Sequence, residues 1–328
     1  MSLTPRVSAV PARWLLVAAF AAIYLLWGST YIAIRFAVEV IPPFAMSGTR
    51  FVVAGLLLML WARAQGAPWP TRLNWRTAII AAVMLFVLNN GALVWAARFV
   101  PSGTLALIVG ATPLWMVLLD WWRPTIHGRQ AGGVRPSNIV FGGLLLGFFG
   151  IILLAGSGEM ASARPEYAIG IVALLIGTVA WAAGSIYTRQ ASAGLPDSPI
   201  MCSGMQLLGG GVMLITLSMV TGESAGFQLA DITLKAGLSW VWLIICGSIL
   251  GFGSFVWLMR VSAPARVATY AYVNPVVAIF LGWALAGEQL TPRTLIAAAI
   301  IVAAVMIINS ARYRKPAPRP VVLASETA

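Results

Sequence analysis

Long apolar runs separated by short polar breaks fill this chain almost from end to end. Ten runs can be drawn, over 14–37, 42–62, 76–98, 102–122, 138–156, 168–188, 199–221, 238–259, 265–285 and 291–310. A helix of about 18 apolar residues or more, rising about 1.5 Å per residue, is long enough to cross a hydrocarbon layer of roughly 30 Å. The breaks are rich in Gly, Pro and Ser, which end helices and turn the chain. The pattern predicts an all-α polytopic membrane protein of ten transmembrane helices with short connections.

The first and sixth runs are near-copies. Gly28, Ser29 and Tyr31 match Gly184, Ser185 and Tyr187 at a constant offset, and the same offset carries Pro43, Ser47 and Gly48 onto Pro199, Ser203 and Gly204. Slightly further along, Trp95, Arg98 and Pro113 map onto Trp257, Arg260 and Pro275. Collinear identities of this kind mark a tandem duplication, with repeats over 14–156 and 168–310 and a cytoplasmic tail over 311–328. Each repeat holds an odd number of runs, so the second enters the membrane upside down. Such inverted repeats place a substrate site near the midplane, between the halves.

Composition agrees: 60% of residues are hydrophobic and 9% charged, against about a quarter charged in a soluble domain. The net charge of +12 reads as cytoplasmic-loop charge, so no nucleic-acid partner is expected. Arg6, Arg13, Arg63, Arg72, Arg76, Arg123, Arg129, Arg135, Arg189, Arg260, Arg266, Arg312, Arg314, Lys315 and Arg319 gather on one side. Arg98, Arg164, Lys235 and Arg293 fall on the other with most of the acids. Both termini are therefore expected in the cytoplasm. The first run outlasts a signal-peptide core and lacks a small-residue cleavage site, so it is expected to remain as a span. Cys202 and Cys246 share no motif and read as buried small residues. His127, the one histidine, falls in a loop. A His-based zinc site and a Ser-His dyad are thereby excluded, and intramembrane carboxylates are not paired. No catalytic residue, metal or cofactor is expected.

Polar groups at mid-run depth have no use facing lipid. Asn89 and Asn90 in the third run and Asn274 in the ninth are such groups. Pro113 and Pro275 each remove a backbone donor at equivalent positions, as hinges lining a cavity or as packing kinks with a locally satisfied backbone. Tyr24, Trp27 and Tyr31 share a helix face, as do Trp181, Ser185 and Thr188, either as packing stripes or as cavity walls. Arg50 is the deepest charge, and its duplicate is Gln206. A buried arginine either pairs with Glu39 or backbone carbonyls, or it binds an anionic group. A carboxylate that would titrate between states is missing from the span interiors, Asp120 at a span end being the nearest.

The chain resembles the EamA family of the drug/metabolite transporter superfamily. The resemblance rests on Trp27-Gly28-Ser29-Thr30-Tyr31, Arg50, Pro113, Asn274-Pro275 and Gly287-Glu288-Gln289-Leu290-Thr291-Pro292, in that order across both repeats. It implies a ten-helix basket with a central cavity in a bacterial inner membrane, exporting small metabolites. Amino acids are the leading expectation and lipophilic drugs the alternative. The expected substrate-binding set is Trp27, Ser29, Tyr31, Arg50, Asn89, Asn90, Trp95, Trp181, Ser185, Trp257 and Asn274, with Arg50 drawing a carboxylate. The expected partners are a small-molecule substrate and the lipid bilayer, with the protein a monomer. Glu288, with no acidic counterpart in the first repeat, is expected to cap the last helix.

Overall fold

The computed structural model describes residues 13–127, 137–155, 165–191, 198–262, 267 and 269–313. The tail beyond 313 and the loop residues Arg129, Arg135, Glu159, Arg164 and Arg266 lie outside them, as does the side chain of Asp120. Every described element is helical. We label them α1 (Arg13–Val38), α2 (Pro43–Ala64), α3 (Arg72–Ala96), α4 (Ser102–Gly110), α5 (Thr112–His127), α6 (Asn138–Ala155), α7 (Pro165–Gln190) and α8 (Pro199–Thr221). Three more follow: α9 (Leu234–Trp242, Leu243–Gly251 and Phe252–Val261 end to end), α10 (Tyr270–Ala286) and α11 (Pro292–Tyr313).

By length and composition, seven helical stretches can cross a membrane: α1, α2, α3, α4 with α5 to Leu119, α7 to Thr188, α8, and α9 to Leu258. Three apolar helices are shorter, Asn138–Leu153, Val273–Ala286 and Pro292–Ile308. Their outer faces are apolar too: Leu56, Leu60, Ile152, Ile176 and Phe280 are all more than 40% exposed, a surface suited to lipid rather than water.

Local chemistry sets the ends. Pro43, Pro165, Pro199 and Pro292 open their helices, where a missing N–H costs nothing. Thr71 and Asn74 close a reciprocal capping box at the start of α3, at 3.2 and 2.9 Å. Gly222 and Gly287, at φ +68° and +64°, terminate α8 and α10 in the left-handed conformation that favours glycine.

In lipid the hydrophobic effect does not drive helices together, so close backbone approach matters most. The densest contact crosses α2 over α8, and four glycines make it possible. A Cβ on Gly55 would lie 2.6 Å from the Leu208 nitrogen, and one on Gly48 would lie 2.9 Å from the Gly211 carbonyl. Gly204 and Gly211 return the same contacts to Gly55 and Gly48. Numbers rise along α2 as they fall along α8, so these two duplicate helices run antiparallel. Gly143, Gly147 and Gly150 of α6 meet Ile308, Ala304 and Ile301 of α11 in the same antiparallel sense.

One end of the bundle is tied by charges. Glu288 accepts from Arg35 Nη1 (3.0 Å) and from the backbone N–H groups of Ser102 (2.8 Å) and Gly103 (3.3 Å). It thus caps α4, not the last helix as its sequence position suggests. Arg35, at a run end, is recruited to the same knot. Glu39 pairs with Lys235, whose Nζ also sits 4.4 Å from the Phe36 ring centroid. Glu223 accepts from the Ala45 N–H (2.9 Å) at the start of α2.

Candidate functional site

A cavity of about 110 Å³ opens among α1, α2, α3, α4–α5, α7, α8, α9 and α10. Its walls follow helical spacing. Trp27, Thr30, Tyr31 and Ile34 present one face of α1, Phe86, Asn89, Asn90 and Leu93 one face of α3, and Tyr270 and Asn274 one face of α10. Trp181 of α7, Ser248 and Phe252 of α9, and Arg50 and Phe51 of α2 also line it.

Three π-helical segments shape this space: Ala22–Leu26 in α1, Val83–Asn90 in α3 and Leu243–Gly251 in α9. The last two fall at equivalent places in the duplicated sequence. A π turn widens the backbone and loosens its carbonyls, and such turns concentrate at functional sites. Here they carry Asn89, Asn90 and Ser248 to the cavity. The freed backbone finds side-chain donors. Trp27 Nε1 donates to the Gly247 carbonyl at 3.0 Å. The Asn274 carboxamide, with its nitrogen turned toward the acceptors, donates to the carbonyls of Ile23 (3.0 Å), Tyr24 (3.1 Å) and Tyr270 (3.3 Å). Asn90 Oδ1 accepts from Ser47 Oγ.

Aromatic rings form a continuous band. Phe51 meets Phe86 (4.8 Å between centroids), Phe86 meets Phe252 (5.8 Å) and Phe252 stacks on Phe255 (6.3 Å). Trp27 closes on Phe255 and edge-on to Tyr270, both at 5.2 Å. Arg50, 5% exposed, lays its guanidinium 4.3 Å from the Phe51 centroid. Among the described residues its Nε and Nη1 have no hydrogen-bond partner, and Glu39, the acid expected beside it, is held by Lys235 instead.

The proline pair also has a geometry. α4 stops at Gly110, Ala111 turns, and Pro113 falls in the first turn of α5, where proline fits. Pro113 cannot donate to the Val109 carbonyl, and the Thr112 hydroxyl does so in its place at 2.5 Å. Pro275 lies inside α10, and a Cβ on Gly110 would come within 2.9 Å of its ring. The two breaks therefore abut where α4 crosses α10.

Of the residues singled out in the sequence, Trp27, Tyr31, Arg50, Asn89, Asn90, Trp181 and Asn274 line this cavity together. Ser29, Trp95, Ser185 and Trp257 do not. Ser29 is two residues from Trp27, hence on another face; it donates to the Leu26 carbonyl (2.7 Å) and accepts from Trp242 Nε1 (3.0 Å). Trp95 packs edge-on against Phe99 at 5.4 Å. The lining also holds Phe51, Phe86, Phe252, Tyr270 and Ser248, which sequence reading passed over. Tyr270 was reachable from its i, i+4 spacing to Asn274. Ser248 sits in a plain apolar run, and nothing in its sequence neighbourhood marks it.

The description "EamA-like transporter family" matches this chain twice, over residues 12–156 and 168–310. The inner membrane transporter YedA of Escherichia coli (strain K12) is 34% identical over 302 residues, 92% of each chain. Protein PecM of Dickeya dadantii (strain 3937) is 25% identical over 291 residues, covering 86% of this chain and 88% of its own. One solved crystal structure superposes with a TM-score of 0.62 at 20% identity, covering 90% of this chain and 97% of that one; it shows a shared fold alone. With a buried, aromatic and polar cavity inside a multi-pass helical bundle, these matches establish that the chain belongs to the EamA-like transporter family, membrane transporters of small molecules.

Proposed function

We propose that this protein exports small metabolites, amino acids foremost, by alternating access between two inverted five-helix repeats, 14–156 and 168–310, in the inner membrane. Both termini are cytoplasmic and the working unit is a monomer. The observation that carries this reading is a cavity walled by both halves, with buried Arg50 lacking a counter-charge among the described residues. A substrate carboxylate supplies that charge, and the aromatic band takes the rest of the molecule. The antiparallel crossing of duplicate helices α2 and α8 supports inverted repeats. The charge knot at one end supports a gate on the outer face, and the abutting Thr112-Pro113 and Asn274-Pro275 breaks support hinges beside the cavity.

Multidrug export is the second reading, favoured by the ring band from Phe51 to Trp27. Two facts rank it lower. The cavity of about 110 Å³ falls below the ~300–1,000 Å³ usual for drug-sized ligands, and the Arg50 charge repels lipophilic cations.

The test is uptake of a labelled amino-acid panel into proteoliposomes, with and without a pH gradient, for the wild type and Trp27→Ala. Saturable uptake that the substitution abolishes supports the reading. Uptake of none of the panel, with dye cations pumped instead, replaces it with the second.

A further inference from the structure

The charge balance of the cavity deepens that reading, on which it rests, to a class of substrate. Seven buried side-chain polar atoms lack a hydrogen-bond partner among the described residues. Four of them belong to three residues of this one lining: Nε and Nη1 of Arg50, Oδ1 of Asn89 and Oγ of Ser248. Buried polar groups are almost always satisfied, so orphans gathered around a space mark where a ligand brings the partners. The Arg50 guanidinium carbon lies over the Phe51 ring at 4.3 Å, a contact that uses none of its N–H donors. The three residues thus offer a fixed cation with donors to spare, a carboxamide acceptor, and a hydroxyl that serves as either.

What the lining lacks is equally specific. Among the described residues neither Asp nor Glu lines it. Glu39, Glu223 and Glu288 are occupied by Lys235, by the Ala45 amide, and by Arg35 with two α4 amides. The duplicate of Arg50, Gln206, is neutral and stands outside the lining. Among the described residues the site therefore holds one positive charge. A zwitterion pairs its carboxylate with Arg50 but carries an ammonium in with it, and the buried total stays at one uncompensated cation. A ligand of net charge −1 brings the total to zero, which the low-dielectric surroundings favour.

We infer that the cavity selects net monoanions: small carboxylates and, among amino acids, the acidic members over their neutral amides. Arg50 sets that specificity, with Asn89 and Ser248 taking the remaining polar groups.

Isosteric pairs isolate the charge. Proteoliposomes are loaded in parallel with labelled glutamate and glutamine, aspartate and asparagine, and lysine, with lactate as a carboxylate lacking an amine. The wild type is expected to move each acidic member at least about tenfold more efficiently than its amide, and lysine least. Arg50→Gln installs the residue that the second half accommodates at the equivalent buried position, and is expected to bring the acid-to-amide ratio to one or below. Arg50→Lys is expected to keep a ratio above one at reduced affinity. The ratio is read within each variant, so a loss of folded protein does not mimic the result. Equal or better transport of the amides by the wild type overturns the inference while leaving amino-acid export standing. Arg50-dependent transport of lactate alone upholds it and overturns the amino-acid reading. Failure of the folded wild type to move any of the six overturns both.

Discussion

Replacing Glu288 with alanine tests whether the charged end of the bundle works mainly as a cap. The change removes the acceptor of the Ser102 amide at 2.8 Å and of the Gly103 amide at 3.3 Å, and it strips Arg35 of its partner at 3.0 Å. Ser102 and Gly103 are buried, so water does not replace the carboxylate. An unsatisfied buried donor costs about 1–3 kcal/mol, and a carboxylate at a helix N-terminus adds about 0.5 kcal/mol through the dipole. The ion pair is a lesser contribution: the Arg35 side chain is 33% exposed, and such pairs contribute about 0–1 kcal/mol. With the shorter amide bond counted fully and the longer one in part, Glu288→Ala is expected to cost about 2–4 kcal/mol and Arg35→Ala about 1 kcal/mol or less. At roughly 2 °C per kcal/mol for a chain of this size, the melting temperature drops about 4–8 °C for the first and about 2 °C or less for the second. Tryptophan fluorescence during heating of the detergent-purified proteins measures both. Equal drops for the two variants would refute the capping argument, since the ion pair would then carry the whole effect. An unchanged melting temperature for Glu288→Ala would refute it too.

Other substitutions probe packing and backbone. Gly55→Val pushes side-chain atoms onto the Leu208 backbone, whereas Gly142 has nothing within 4 Å of a Cβ. The first is expected to lose about 3 kcal/mol or fail to accumulate and the second to behave as wild type, judged by size-exclusion profile and melting; matching profiles would sink the close-approach argument. Thr112→Val keeps the branched shape but takes the hydroxyl donor from the Val109 carbonyl, leaving it a share of the Ala111 N–H, at a cost of about 1–2 kcal/mol. Thr178→Val, whose hydroxyl bonds the Leu175 carbonyl (2.7 Å) in an uninterrupted helix, costs less; the reverse order counts against the proline account. Lys235→Ala is expected to cost under about 1 kcal/mol, because both partners are about half exposed, and the difference from wild type should shrink in high salt. A large, salt-independent loss contradicts it.

Much of this molecule follows from local chemistry, and that part was legible in the sequence. Apolar runs mark helices because lipid demands that each backbone satisfy itself, and Pro43, Pro199, Pro292, Gly222 and Gly287 mark where helices begin or end because their backbone restrictions are intrinsic. Polar side chains deep in a run must face protein, so Arg50, Asn89, Asn90 and Asn274 stand out from the sequence alone. Their partners were a different matter. Glu288 caps a helix that starts 186 residues earlier, and Glu39 leaves Arg50 for Lys235, because an ion pair depends on which helix ends meet in space. Ser248 joins the wall within the π segment Leu243–Gly251, in a run of apolar residues whose sequence does not show which side faces inward. Ser29 and Trp95, attractive as residue types, turn away from it. The duplicated pattern of spans and polar positions was written along the chain. The single positive charge of the cavity, and the absence of a counter-charge among its described walls, came only when nine helical elements were brought around one space.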